Sequence, residues 1–238
     1  MGDGRERSPR PSGFDAYADG YEEAVRHSIA FSGREHDFFT RRKAEHLLEL
    51  AQRRLGRLER VRALDVGCGV GSTDAHLVGR VGALEGIDTS AAAVERAAAA
   101  NPSVRYRAYD GERLPYDDGH FDLAFAICVV HHVAPADRGA LAGELARVVR
   151  PGGIVAVFEH NPFNPLTRLA VARCSFDDDV VLLRPRRARR LLEDAGLRPV
   201  EQRFIVLVPS DRPSARAVEH AFRNVPLGAQ YYVAAQRP

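Results

Sequence analysis

The chain has 238 residues, 45% hydrophobic and 28% charged, which suits one large globular domain with room for a small cap. A net charge of +2 argues against a dedicated nucleic-acid or membrane-surface binder, and only one of the 34 basic residues, Lys43, is lysine. Cys68, Cys128 and Cys174 form no C-x-x-C pair, so neither a zinc site nor a disulfide framework is expected. No apolar run reaches membrane-span length and no signal-peptide core opens the chain; a cytoplasmic protein is expected.

Residues 1–13 are charged and rich in Pro and Gly, the composition of a disordered tail. Phe14 to Arg26 reads as a helix with Phe14, Tyr17 and Tyr21 on one stripe. Ser28 to His36 is a break containing Gly33, and its loop is placed to close over a site, with His36 as a candidate there. A second helix follows over Phe38 to Arg57. Leu47, Leu48, Ala51 and Leu55 recur at helical spacing and face a core, which leaves Arg41, Arg42, Arg53 and Arg54 for solvent. The division expected is a helical cap, 14–57, before a core, 58–238.

Ala63 to Val66 is a short apolar run ending in three alternate glycines, Gly67, Gly69 and Gly71, with Asp65 inside the run and Cys68 inside the turn. Thr73 to Val81 reads as the helix that follows. Strand, glycine turn and helix start gather backbone N–H groups and leave space for a ligand's polar end. The dinucleotide fingerprint asks for Gly or Ala at position 72, and Ser72 stands there. Ala83 to Ile87 is a second buried strand, ended by Asp88, 23 positions after Asp65. An ionised carboxylate there can accept two hydrogen bonds from a vicinal diol. It can equally cap the Ala91 to Ala100 helix, a task open also to Thr89 or Ser90. Asn101-Pro102 stops that helix. Val104 to Tyr109 is a third strand, followed by Asp110-Gly111, a ligand carboxylate or simply a turn.

Phe121 to Val130 is a fourth strand, apolar as a central parallel strand should be, with Cys128 near its end and His131-His132 just beyond. A histidine at a strand end suits general-base work near neutral pH; it can also only pack or cap. Pro135 to Arg150 is a helix, and Arg150-Pro151-Gly152-Gly153 turns it into a fifth strand, Ile154 to Glu159. Two Asn-Pro steps after His160 predict a rigid, non-helical connection. The segment 161–183 is long enough for a lid, with His160, Asn161 and Phe163 as acceptor-pocket candidates. A Pro185-to-Gly196 helix exposes Arg186, Arg187, Arg189 and Arg190. Strands over Val200 to Val208 and Tyr231 to Gln236 flank a segment, Pro209 to Gly228, read as helix with loops; the last strand must then run antiparallel.

Asp65-x-Gly67-x-Gly69-x-Gly71 resembles the first motif of the class I S-adenosylmethionine-dependent methyltransferases. Leu114-Pro115-Tyr116 to Phe121-Asp122, the Arg150-Pro151-Gly152-Gly153 turn and the Phe14-Asp15-x-x-Ala18-x-x-Tyr21 opening resemble further segments of that family. The resemblance runs from about Phe14 to the C-terminus and is strongest from Ala63 to Gly153. It implies an α/β, Rossmann-like sheet in the order 3-2-1-4-5-7-6 with strand seven antiparallel, capped by N-terminal helices. It implies S-adenosyl-L-methionine as cofactor, held by Tyr21, Asp65, Gly67, Cys68, Gly69, Gly71, Asp88, Thr89, Asp110, Gly111 and Cys128. In that scheme Asp88 takes the ribose hydroxyls, Asp110 the adenine amine, and Tyr21 the methionine end. His131 or His132 would be the base. No metal, nucleic acid or membrane partner is implied. The acceptor expected is a small organic molecule, most simply a hydroxyl on a secondary-metabolism intermediate in natural product biosynthesis; N- or C-methylation and a silent cofactor-binding partner protein are the alternatives.

Overall fold

The computed structural model describes residues 20–174 and 180–238. The side chain of Tyr21 and all of Phe14 to Asp19 lie outside the described residues. Seven strands form one sheet in the order β3-β2-β1-β4-β5-β7-β6. They are β1 (Arg62–Val66), β2 (Ala83–Asp88), β3 (Arg105–Ala108), β4 (Phe121–Ile127), β5 (Val149–His160), β6 (Arg198–Ile205) and β7 (Gln230–Gln236). β1 to β5 run parallel, and β7 inserts antiparallel between β5 and β6.

The strands form where apolar runs are bounded by Gly, Pro or Asp. Leu64, Ile87, Leu123 to Ala126 and Ile154 to Ala156 are all at most 1% exposed, as strands covered on both faces must be. One core lies under α4 (Arg138–Val148) and α6 (Pro185–Asp194). The other lies under α2 (His36–Leu55), where Leu47, Leu50 and Ala51 meet Phe125, Phe158 and Tyr232. Helix α1 (Tyr21–Ile29) joins α2 through a single 3-10 turn ending at Gly33, whose φ of 63° closes it. α3 (Ala91–Ala100) is capped by Ser90, whose hydroxyl accepts Ala93 N–H. Among the described residues no helix is long and apolar enough to cross a membrane.

Several expectations are corrected. Thr73 to Val81 is not a helix: only Asp74–His76 forms a 3-10 turn. Gly79 sits at φ 71°, and a Cβ on Gly82 would meet the Glu59 carbonyl oxygen at 2.4 Å, so the chain turns back early onto β2. The fourth strand stops at Ile127, because Cys128 takes a positive φ of 59° and leaves the sheet line. The connection after β5 is not free of helix. Asn164-Pro165 is an N-cap and first-turn pair, with the Asn164 side chain accepting Leu166 and Thr167 N–H, and it starts α5 (Pro165–Val171). Arg42 is buried rather than solvated. α7 (Pro213–Ala221) supplies the helix expected between the last two strands.

Candidate functional site

The carboxyl ends of β1, β2, β4 and β5 open onto one cavity of about 810 Å3, roofed by α1, α2 and α5. Its floor is the glycine turn. Gly67 and Gly69 both hold positive φ, for two separate reasons. A Cβ on Gly67 would strike Val129 Cγ2 at 2.4 Å, whereas at Gly69 nothing stands within 4 Å, so the backbone lies open to the cavity. Gly71 does not line it. A Cβ there would meet Asn101 Nδ2 at 2.6 Å and the Tyr106 hydroxyl at 2.8 Å, so this glycine serves packing. The turn is followed by no helix, so the polar groups it offers are those of the turn itself.

Asp88 fixes the turn to β2. Its Oδ2 accepts Gly69 N–H at 2.8 Å and its Oδ1 accepts Ser90 N–H at 2.9 Å. The cap of α3 is Ser90, which leaves Asp88 on the cavity wall with Thr89. Asp110 and Gly111 line the same wall; Asp110 also accepts Glu112 N–H at 2.9 Å, so the ligand and turn readings coexist in one residue. Beneath the turn lies a buried carboxyl pair. Burial, then the neighbouring Asp74 carboxylate, pushes Asp65 well above the usual carboxylate range, and burial pushes Asp74 up to about 7. Tyr106 donates to Asp74 Oδ2 at 2.8 Å, and Asn101 bridges Tyr106 to the Gly71 carbonyl. Burial likewise raises the Cys68 thiol, which keeps it protonated.

The opposite wall carries histidines. His131 Nδ1 lies 2.5 Å from Glu159 Oε2, and Glu159 Oε1 also accepts His131 N–H at 3.3 Å. Glu159 is fully buried; burial alone would raise its carboxyl, yet His131, with His160 and His132 behind it, holds it below the usual value. The His132 and His160 rings stand 4.1 and 5.2 Å from His131 between centroids. Arg138 braces the loop by donating to the His131 and Val133 carbonyls. Sequence reasoning had placed Glu159 only at a strand end. Its pairing needs β4 and β5 to be neighbours, which the strand order alone supplies.

Of the three acceptor candidates after β5, His160 lines the cavity. Asn161 instead donates to the Pro226 and Gly228 carbonyls and accepts Phe163 N–H, and Phe163 is 53% exposed at the surface. The acceptor side is mainly apolar, with Ile29, Phe31, Leu141, Leu166 and Val171. His36 lines it too; burial and then Lys43 drive its imidazole down to about 4, so it stays neutral. Lys43 and Cys128 also face the cavity. Among the described residues no group of three or more His, Cys, Asp or Glu is placed to hold a metal ion.

Comparison with known proteins agrees with this geometry. Residues 64–157 match the family described as methyltransferase domain. An uncharacterized methyltransferase of Synechocystis sp. is 33% identical over 104 residues, 43% of this chain and 49% of that protein. A 2-methyl-6-phytyl-1,4-hydroquinone methyltransferase of the same organism is 35% identical over 102 residues, 41% of this chain and 31% of that protein. The chain thus spans about half or less of the length of these curated relatives. Among solved structures, a SAM-dependent methyltransferase of Thermotoga maritima superposes with a TM-score of 0.66 at 17% identity, covering 94% of this chain and 98% of that one. The matched region is thus similar to a methyltransferase domain, and the fold is that of the solved SAM-dependent methyltransferase.

Proposed function

We propose that the protein transfers the methyl group of S-adenosylmethionine to a small organic acceptor, with a hydroxyl oxygen as the nucleophile. One observation supports this most: the glycine turn, Asp88 and His131, with Glu159 buried behind it, meet at one cavity. The residues fit the cofactor, because Gly69 leaves open backbone where any side chain would intrude and Asp88 stands on the adjacent strand end. Asp65, Gly67, Cys68 and Gly69 would hold the amino-acid tail, Asp88 and Thr89 the ribose, and Asp110 and Gly111 the adenine. When bound, the cofactor supplies a methyl carbon already activated by a sulfonium.

The protein's own contribution is then mainly placement. Holding nucleophile and methyl in line can be worth roughly 7–11 kcal/mol of barrier. Glu159 accepts the Nδ1 proton of His131, which fixes the tautomer in which Nε2 is basic. A hydroxyl proton passes to that nitrogen as the oxygen attacks, and Glu159 stabilises the imidazolium that results. The helices α1, α2 and α5 exclude water above. Relatives named for quinone, sterol and malonyl-carrier-protein substrates support a small or carrier-borne acceptor.

The test is calorimetry with S-adenosylhomocysteine, followed by methyl transfer to a panel of phenols, sugars, amines and quinols. Binding together with methylation of a hydroxyl supports the proposal. Absence of binding removes the cofactor assignment, and transfer confined to amines or carbon removes the hydroxyl one.

A further inference from the structure

Gln230 opens β7, lines the cavity and is 6% exposed. Its Nε2 donates to Cys128 Sγ at 3.8 Å, a long and weak bond. Its carboxamide oxygen is buried and has no hydrogen-bond partner among the described residues. A buried acceptor in that state costs stability, so folded chains ordinarily pair it. A neighbouring buried amide obeys the rule: Asn161 donates to the Pro226 and Gly228 carbonyls and accepts Phe163 N–H. The Thr167 hydroxyl, also at the cavity, is committed to the Ala229 carbonyl at 2.7 Å. The Gln230 oxygen thus has a capacity that the fold leaves unused.

Position indicates which ligand would use it. Gln230 stands opposite His160 of β5 in register, and both line the cavity. β7 lies three strand spacings from β1, about 14 Å, so the glycine turn is on the other flank. The cavity wall on the β7 side is mainly apolar, with Leu166 and Val171 of α5. We propose that Gln230 is a specificity-determining residue of the acceptor side: its carboxamide oxygen takes a hydrogen bond from a second hydroxyl or N–H of the acceptor, distinct from the group that is methylated. The acceptor class is then an apolar body carrying two donors, one for His131 and one for Gln230. Lys43, which can only donate, stands 4.0 Å from the same Cys128 sulfur. That sulfur therefore serves as the acceptor for both nitrogens, and the amide oxygen is the end turned away from it. The last torsion of a glutamine is broad, so the oxygen swings to meet a donor at little cost. The proposal rests on the methyl-transfer reading above and extends it to a residue outside the matched region, 64–157.

The experiment measures dissociation constants by calorimetry, at saturating S-adenosylhomocysteine, for wild type, Gln230→Met and Gln230→Glu. The probes are 2,7-dihydroxynaphthalene and 7-methoxy-2-naphthol, which share an apolar body and one hydroxyl and differ in the second donor. Wild type should bind the diol at least ~10-fold more tightly. Gln230→Met should cut that preference to less than about 2-fold, while Gln230→Glu, which keeps an acceptor oxygen, should retain it. Gln230→Met should hold S-adenosylhomocysteine within about 2-fold of wild type. Its melting temperature without ligand should not fall, because the substitution removes a buried acceptor that has no partner. Equal weakening of both probes in Gln230→Met, or a lower melting temperature, would show a packing role and overturn the proposal. A loss of S-adenosylhomocysteine affinity would assign the amide to the cofactor and overturn it too. So would equal affinity of wild type for the two probes, or a preference for the methoxy probe, which would show that the amide presents its N–H. Failure of both probes to bind wild type would overturn the acceptor class. Failure of wild type to bind S-adenosylhomocysteine would remove the methyl-transfer reading itself, which separates the two claims.

Discussion

Asp88 Oδ2 accepts the Gly69 N–H at 2.8 Å, so the carboxylate that ends β2 also sets the shape of the glycine turn beside it. The same side chain holds Ser90 N–H at the start of α3. Its role in ligand binding is thus joined to a structural one. Asp88→Ala is expected to weaken S-adenosylhomocysteine by at least ~10-fold, about 1.4 kcal/mol, and to lower the melting temperature by freeing two backbone donors. Asp88→Asn keeps acceptor oxygen for one of those donors and should recover part of the stability but little of the affinity. Calorimetry on both variants checks this; unchanged affinity in Asp88→Ala would remove Asp88 from the site.

The His131–Glu159 pair gives a second prediction. Removing the base should lower kcat by about 10²–10⁴-fold for a hydroxyl acceptor while leaving cofactor affinity nearly intact. Glu159→Gln should lower kcat less, since the amide can still hold Nδ1–H but cannot stabilise the imidazolium. Stability should respond to acid. The Glu159 carboxyl is held below its usual value, so its contribution is present above that usual value and is lost as pH falls through the lowered one. Comparing wild-type and Glu159→Gln melting curves from pH 3 to 7 should show a steeper acid loss in wild type. Equal turnover in His131→Ala, His132→Ala and wild type would dismiss a histidine base.

The sheet was readable from sequence because each parallel strand is an apolar run stopped by a residue with a backbone reason to stop it. Val66 ends at Gly67 and Ile87 at Asp88, while β5 starts earlier than expected, at Val149, and runs through Gly153, where a Cβ would meet the Asp122 carbonyl at 2.7 Å. The cavity lining at the glycine turn, Gly67, Cys68, Gly69, Asp88 and Asp110, was readable for the same reason, since the turn and the strand ends are local in sequence. The packing of Gly71 was not legible, because its partner, Asn101, lies 30 residues away and no spacing reveals that contact. The Glu159–His131 pairing and the burial of Arg42 were missed likewise: their partners come from elements that only the strand order and cap packing bring together. The Thr73-to-Val81 segment misled in the other direction. Its composition is helical, but too few residues separate Gly71 from Gly82 to build a helix and still return to β2.

The carboxyl pair under the glycine turn gives a pH effect of opposite sign to Glu159. Asp74 is pushed up to about 7, chiefly by burial, from an ordinary value near 3.8. A raised carboxyl favours folding while the group is protonated in both states, and that advantage is lost as pH rises from about 4 to about 7. Asp74→Asn keeps an acceptor for the Tyr106 hydroxyl but cannot ionise, so it should flatten this part of the stability curve. Wild type minus Asp74→Asn, measured by denaturant titration between pH 4 and 8, isolates the effect from other groups. A difference that does not vary over that interval would mean the pair carries no extra proton in the folded state.

The last prediction concerns the clasp that holds the cap helix to the far end of the sheet. Arg42 and Glu219 are both 6% exposed in their side chains, and their bond of 2.6 Å spans 177 residues of sequence. Glu219 also accepts from His46 at 2.9 Å and from Leu207 N–H at 3.1 Å, while Arg42 pairs with Glu45. Leu207 lines the cavity, so the clasp positions part of its wall. Breaking a buried pair leaves a desolvated charge, and Glu219→Ala is expected to cost about 3–5 kcal/mol in denaturant unfolding. Replacing both partners by apolar side chains removes the stranded charge, so Arg42→Met/Glu219→Leu should be distinctly more stable than either single variant. Because Leu207 N–H bonds to Glu219 and Leu207 lines the cavity, the double variant should also weaken ligand binding in the cavity, which calorimetry with S-adenosylhomocysteine and acceptor KM values check. Additive losses in the double variant would show instead that the two charges do not stabilise the fold through one another.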